Sequence, residues 1–217
     1  MAARQRQTYG EEVANVLTHG AGMLFGMTAI IVLMMAAIRS GNPWAIGSFA
    51  VYAVCMTLSY VTSTFYHAST HARQKRLLRR FDHGAIYLHI AGTYTPFTLL
   101  ALRQEGYWGW SLFAVIWIAA VIGVWLSFRK MRKKDHLKTV CYLAMGWVVI
   151  IAFKPLLHVF RETGSMNILY WLIGGGLFYT VGCLFFFLDK YKYMHPVWHF
   201  FVLGGSICHF ISIYLLV

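Results

Sequence analysis

Uncharged, largely apolar runs alternate with short charged segments along the whole chain. The runs are Val13–Ile38, Ser40–Ala72, His83–Leu102, Gly106–Phe128, Thr139–Phe153, Thr163–Leu188 and Tyr193–Val217. A helix rising about 1.5 Å per residue needs roughly 20 residues to cross a hydrocarbon core of about 30 Å. Six runs meet that length, and the shortest, Thr139–Phe153, continues past Lys154 to Val159. The pattern predicts an all-α integral membrane bundle of seven transmembrane helices in one domain, over about 17–38, 43–67, 83–102, 107–128, 139–159, 166–188 and 195–217. Strands of a membrane barrel would instead alternate polar and apolar residues over about 10 positions, and no segment does so. Thr8 followed by Glu11 has the form of a capping box, placing a helix start near Tyr9. Pro96 and Pro155 are expected to disturb helical hydrogen bonding locally. Gly22, Gly26, Gly174–Gly176, Gly182 and Gly204–Gly205 offer small positions where helices can approach closely.

Composition agrees with this pattern. Of 217 residues, 59% are hydrophobic and 12% carry a formal charge, which excludes a water-soluble domain of this length. The net charge of +12 would suggest nucleic acid on a soluble chain, but on this chain it points to loops facing anionic lipid, with no nucleic-acid partner. Fifteen of the nineteen Lys and Arg fall in the N-terminal segment and the second, fourth and sixth expected loops. The positive-inside rule then puts the N-terminus in the cytoplasm and the C-terminus outside. The basic loops after the second and fourth spans can touch anionic headgroups, each cation near the surface contributing about 1 kcal/mol. Met1–Glu12 is polar and the first span is long, unlike a removed signal peptide. Cys55, Cys141, Cys183 and Cys208 fall within expected spans with no metal-ligand spacing, and read as packing residues.

Ionisable groups are costly inside a membrane, so their depth is informative. His67 closes the second span, Asp82 opens the third, and His195 and His199 open the seventh, all on the expected cytoplasmic side; His19 joins that layer from the first span. Residues four apart share a helix face, so His195 and His199 can grip one metal ion at roughly 2.0–2.1 Å. Ser63 and His67 repeat the spacing, presenting a hydroxyl on the imidazole face. Three histidines without a thiolate favour Zn2+, and three protein ligands leave the open position of a catalytic site. Iron and copper remain open on the same donor set. Glu11, Asn15 and His19 share a face and are expected to form a hydrogen-bond network at the cytoplasmic mouth. His83 turns away from Asp82 and is expected to be solvated. His89 lies about 10 Å deeper than Asp82 and His209 about 15 Å deeper than His199; both read as buried polar contacts or lining residues.

These motifs, in this order, resemble the hemolysin III family, the bacterial branch of the progestin and adiponectin receptor group, related to alkaline ceramidases. The matching residues are Glu11-x3-Asn15-x3-His19, Ser63-x3-His67, Phe81-Asp82-His83-Gly84 through Ala91-Gly92-Thr93-Tyr94-Thr95-Pro96, and His195-x3-His199. The resemblance covers essentially the whole chain. It implies His67, His195 and His199 as zinc ligands, Asp82 as partner of the metal's water, Ser63 close behind, and residence in a bacterial cytoplasmic membrane. The chain departs at His89, where the family pattern carries an apolar residue, and lacks the receptors' long N-terminal region, which argues against receptor signalling.

Zinc at an open site polarises carbonyls and activates water, and Asp82 is the natural base. Ser63 can stabilise an oxyanion. A site at the cytoplasmic end of a helical bundle favours lipid amide or ester bonds entering laterally, which makes membrane lipid homeostasis the setting. Two other readings stay open: a non-catalytic sensor or receptor with structural zinc, and a cytolytic, pore-forming hemolysin, against which stands the lack of a polar channel stripe. No protein partner can be identified.

Overall fold

The computed structural model describes residues 7–129 and 135–217, with the backbone alone at 135–137. Arg4, Arg6 and the expected basic residues at 130 and 132–134 lie outside the described residues. The described residues form eight α-helices and no strand: α1 (Tyr9–Ser40), α2 (Pro43–Ala68), α3 (Ala72–Pro96), α4 (Trp108–Phe128), α5 (Asp135–Gly146), α6 (Phe153–Glu162), α7 (Met166–Phe187) and α8 (Met194–Tyr214). Among the described residues, six helices are long and apolar enough to cross a membrane: α1, α2, α4, the Lys138–Glu162 unit that joins α5 to α6, α7 and α8. The chain is a multi-pass membrane protein.

Local chemistry explains the helix boundaries. Thr8 caps α1 by a full capping box, its hydroxyl accepting from the Glu11 N–H while the Glu11 carboxylate accepts from the Thr8 N–H. Gly41, left-handed at φ 65°, ends α1, and Asn42 with Pro43 starts α2 at once. A 3-10 segment, Trp147–Ala152, precedes Pro155, whose ring nitrogen cannot donate to the turn before it. A π-helical stretch, Phe97–Ala101, follows Pro96.

The third helix corrects the expected map. It begins at Ala72 rather than near position 83, so Arg73–Arg80 are helical and not a loop. Arg, Lys, Gln and Leu are good helix formers, and charge alone does not stop a helix where it can reach water.

The packing is that of a membrane bundle. Large apolar residues of α1, Leu17, Leu24, Ile31 and Ile38, face outward, while its buried face carries Glu11, Asn15, His19, Gly22, Gly26 and Ala29. Helix α1 packs along α2 and closes against α8; α2 packs along α3, α3 along α4, and α7 along α8. Every residue from Ala91 to Leu99 is buried, so the end of α3 and the start of the π-helical stretch are enclosed on all sides. Gly22 allows α1 to lie directly on the Tyr60 ring, where any Cβ would overlap.

Candidate metal centre

The starts of α1, α3 and α8 and the end of α2 meet at one end of the bundle. Glu12 joins three of these helices, accepting from His67 Nδ1 at 2.7 Å and from Lys75 Nζ at 2.7 Å. Glu11 ties in the fourth by accepting the Tyr193 backbone N–H at 3.0 Å. Tyr193 is the one non-glycine residue with positive φ among the described residues, at 62°, and it caps the helix that carries His195 and His199. A left-handed tyrosine is strained, and the Glu11 carboxylate holds it there.

His67, His195 and His199 converge at this end. Each offers a ring nitrogen, and the three nitrogens lie within 4.8 Å of one another. All three residues are buried, with ring centroids 5.3 Å apart for His67 and His195, 5.2 Å for His67 and His199, and 4.5 Å for His195 and His199. Nitrogens sharing one tetrahedral zinc at 2.0–2.1 Å would stand about 3.3 Å apart, so a modest contraction suffices.

The outer nitrogens of two rings are already committed. Nδ1 of His67 donates to Glu12, and Nδ1 of His199 lies 3.3 Å from Thr18 Oγ1. Their Nε2 atoms are buried with no hydrogen-bond partner among the described residues. A carboxylate on one ring nitrogen and a bare lone pair on the other is the arrangement that metal-ligating histidines use.

The other expected residues occupy distinct places. Asn15 is fully buried, with Nδ2 2.8 Å from Gln7 Oε1 and 3.3 Å from His67 Nδ1. His19 packs its ring on His199 at 3.6 Å and on Tyr60 at 5.2 Å, and is not part of the three-nitrogen cluster. Asp82 stands on the cavity wall with His67 and His195. His83 is not simply solvated: its Nδ1 lies 3.3 Å from the Asp82 carboxylate, because neighbouring side chains on a helix can fold toward each other. Ser63 is buried one turn before His67 and is not among the residues lining the cavity. Spacing does not single out Glu12 or Thr18. The available signal for Glu12 is that an acid three residues before Asn15 shares its helix face, and that acid needs a partner when drawn inward.

His67 and His195 of the cluster line a cavity of about 1540 Å³. Its lining includes the cations Lys75, Arg76, Arg79 and Lys138 and apolar residues such as Ile90, Phe97, Leu102, Leu156 and Leu169. The four cysteines are free thiols; Cys55, Cys183 and Cys208 are buried and Cys141 is exposed.

Known proteins share this sequence over nearly its full length. The family described as "Haemolysin-III related" matches residues 7–210. "Hemolysin-3" of Bacillus cereus is 41% identical over 210 residues, covering 97% of this chain and 93% of the relative. "Hemolysin-3 homolog" of Bacillus subtilis (strain 168) is 40% identical over 206 residues, covering 95% and 94%. "Monocyte to macrophage differentiation factor" of Homo sapiens, of the progestin and adiponectin receptor type, is 27% identical over 217 residues, covering 97% and 86%. With motifs, helices and histidine cluster all in the expected order, the chain belongs to the haemolysin-III related family.

Proposed function

We propose that this protein is a zinc-dependent hydrolase of lipid amide or ester bonds in the bacterial cytoplasmic membrane, serving membrane lipid homeostasis. The observation that carries it is the three-histidine cluster, of which His67 and His195 line a large, mostly apolar cavity that Lys75, Arg76, Arg79 and Lys138 also line. In this reading α3, continued by Phe97–Ala101, is the seventh membrane crossing, with the N-terminus cytoplasmic and the C-terminus outside. The cations lining the cavity attract anionic headgroups, and its apolar wall takes an acyl chain.

His67, His195 and His199 would hold the zinc. When bound, zinc supplies a Lewis acid that polarises a carbonyl and makes water acidic near neutral pH. Asp82, on the cavity wall that His67 and His195 also line, takes the proton from the attacking water. His83 steadies the Asp82 carboxylate. Glu12 fixes the His67 ring with its Nε2 lone pair free, and Thr18 does the same for His199. We place Ser63 behind the His67 imidazole rather than at the substrate, because it is buried away from the cavity wall.

Turnover of amide- and ester-linked lipids by protein in lipid nanodiscs tests the proposal. The expected result is hydrolysis that stops on chelation and returns with zinc, and an Asp82→Asn variant that keeps zinc but falls at least about a hundredfold in rate. Zinc bound with no turnover of either lipid class would leave the metal to tie helices together, as in a sensor.

A further inference from the structure

A second polar patch lies deep in the same cavity, away from the metal cluster. His89 of α3, Tyr179 of α7 and His209 of α8 all line the cavity wall. His209 stands ten residues beyond His199 on α8, about 15 Å along the axis. The His89 and His209 rings flank Tyr179, with centroids 6.3 Å and 5.4 Å from it. Around them the wall is apolar, with Ile90, Leu172 and Val202.

The hydrogen-bonding capacity of this patch is incomplete. His89 and His209 are 6% and 8% exposed. Nε2 of His209 is 3.2 Å from the Leu172 carbonyl oxygen. A carbonyl only accepts, so Nε2 carries the proton and Nδ1 of the neutral ring is an acceptor. That Nδ1 and Nε2 of His89 are buried with no hydrogen-bond partner among the described residues. Tyr179 does not fill the gap, because its hydroxyl is committed to Ser206 Oγ at 2.8 Å, which also receives Tyr60 at 2.7 Å. The position of His209 is built in: it rests on Gly175, where any Cβ would overlap the imidazole. Unsatisfied polar atoms in a buried wall are costly unless water or a ligand completes them.

The chemistry of the gap narrows what completes it. His209 Nδ1 requires a donor, which excludes a carboxylate, an ester carbonyl or a plain hydrocarbon. A buried ammonium would donate but carries a desolvation cost that no acid on this patch offsets. A hydroxyl both donates and accepts, so it can give a hydrogen bond to His209 Nδ1 or take one from His89.

We propose that His89 and His209 form a specificity site for a hydroxyl carried part-way along an apolar chain, so that the cavity prefers hydroxylated acyl chains over plain ones. This rests on the lipid-binding reading of the cavity given above, but not on zinc or on turnover.

Ricinoleate and oleate differ by one mid-chain hydroxyl, and their affinities for the full chain in nanodiscs can be compared through the fluorescence of Trp147 and Trp198, which line the cavity. The expected result is ricinoleate binding about three- to tenfold more tightly, the effect of one or two net hydrogen bonds. The preference should survive metal chelation and hold for a hydroxystearate with the hydroxyl at matching depth. His89→Leu should erase it, and His89→Gln, which restores a donor and an acceptor, should retain it. His209→Leu should act as His89→Leu does; if that variant fails to fold, the two His89 variants decide alone. Equal affinity for oleate, ricinoleate and every hydroxystearate in the series would overturn the hydroxyl site while leaving a lipid cavity. Failure of all these chains to bind would overturn both. A preference unchanged in His89→Leu would also overturn it.

Discussion

Replacing Glu12 with alanine should weaken zinc binding without touching a ligand. The Glu12 carboxylate sits 2.7 Å from His67 Nδ1, and its other oxygen 2.7 Å from Lys75 Nζ. The His67 side chain is 2% exposed and that of Glu12 23%, so solvent screens the contact only in part. Hydrogen bonds to charged groups contribute about 1.5–3 kcal/mol, and every 1.4 kcal/mol is a factor of about ten. Partial screening puts the expected loss at about 10- to 100-fold in zinc affinity, the range typical of partners that orient metal-binding histidines. A tautomer shift adds to it. Asn15 Nδ2 lies 3.3 Å from the same His67 Nδ1 and, as a donor, would favour the ring with its proton on Nε2, the atom a metal needs bare. Glu12 at the shorter distance prevents this, and its loss lets Asn15 decide. The assay is competition for zinc against a chromophoric chelator in detergent, with metal-free thermal unfolding as the control for folding. Glu12→Ala affinity within about twofold of wild type, while His195→Ala abolishes binding, would refute this role.

Two further outcomes follow from the packing and from the charge pattern. Gly22→Ala places a methyl inside the Tyr60 ring and should destabilise the fold by about 1–3 kcal/mol, read as a lower unfolding temperature in detergent; an unchanged transition would mean that α1 and α2 separate freely. A phosphatase that folds only outside the cytoplasm should be active when fused after Val217 and inactive when fused after Lys192, and the reverse result would invert the proposed orientation.

The helical pattern was legible because apolar runs and charged breaks are long-range features. The Thr8–Glu11 box marked the start of α1 to the residue, since both partners lie within one turn. The start of α3 was not legible, because Arg73–Arg80 look the same in a loop and in a helix that emerges from the membrane. The meeting of His67, His195 and His199 followed from equal depth on different helices, a quantity that residue counting supplies. Rotation about each helix axis is not supplied by counting. That is why Glu12 rather than Glu11 reaches His67, why His83 folds onto Asp82, and why Ser63 lies off the cavity. The cavity itself comes from gaps between helices distant in sequence, to which no local pattern points.

The central claim is tested most directly by the metal content of protein purified without added metal and without chelating resin. Elemental analysis should find close to one zinc per chain in the wild type and almost none in His195→Ala, with both proteins equally helical. Wild-type protein devoid of metal after incubation with zinc, or zinc retained in full by His195→Ala, would contradict it.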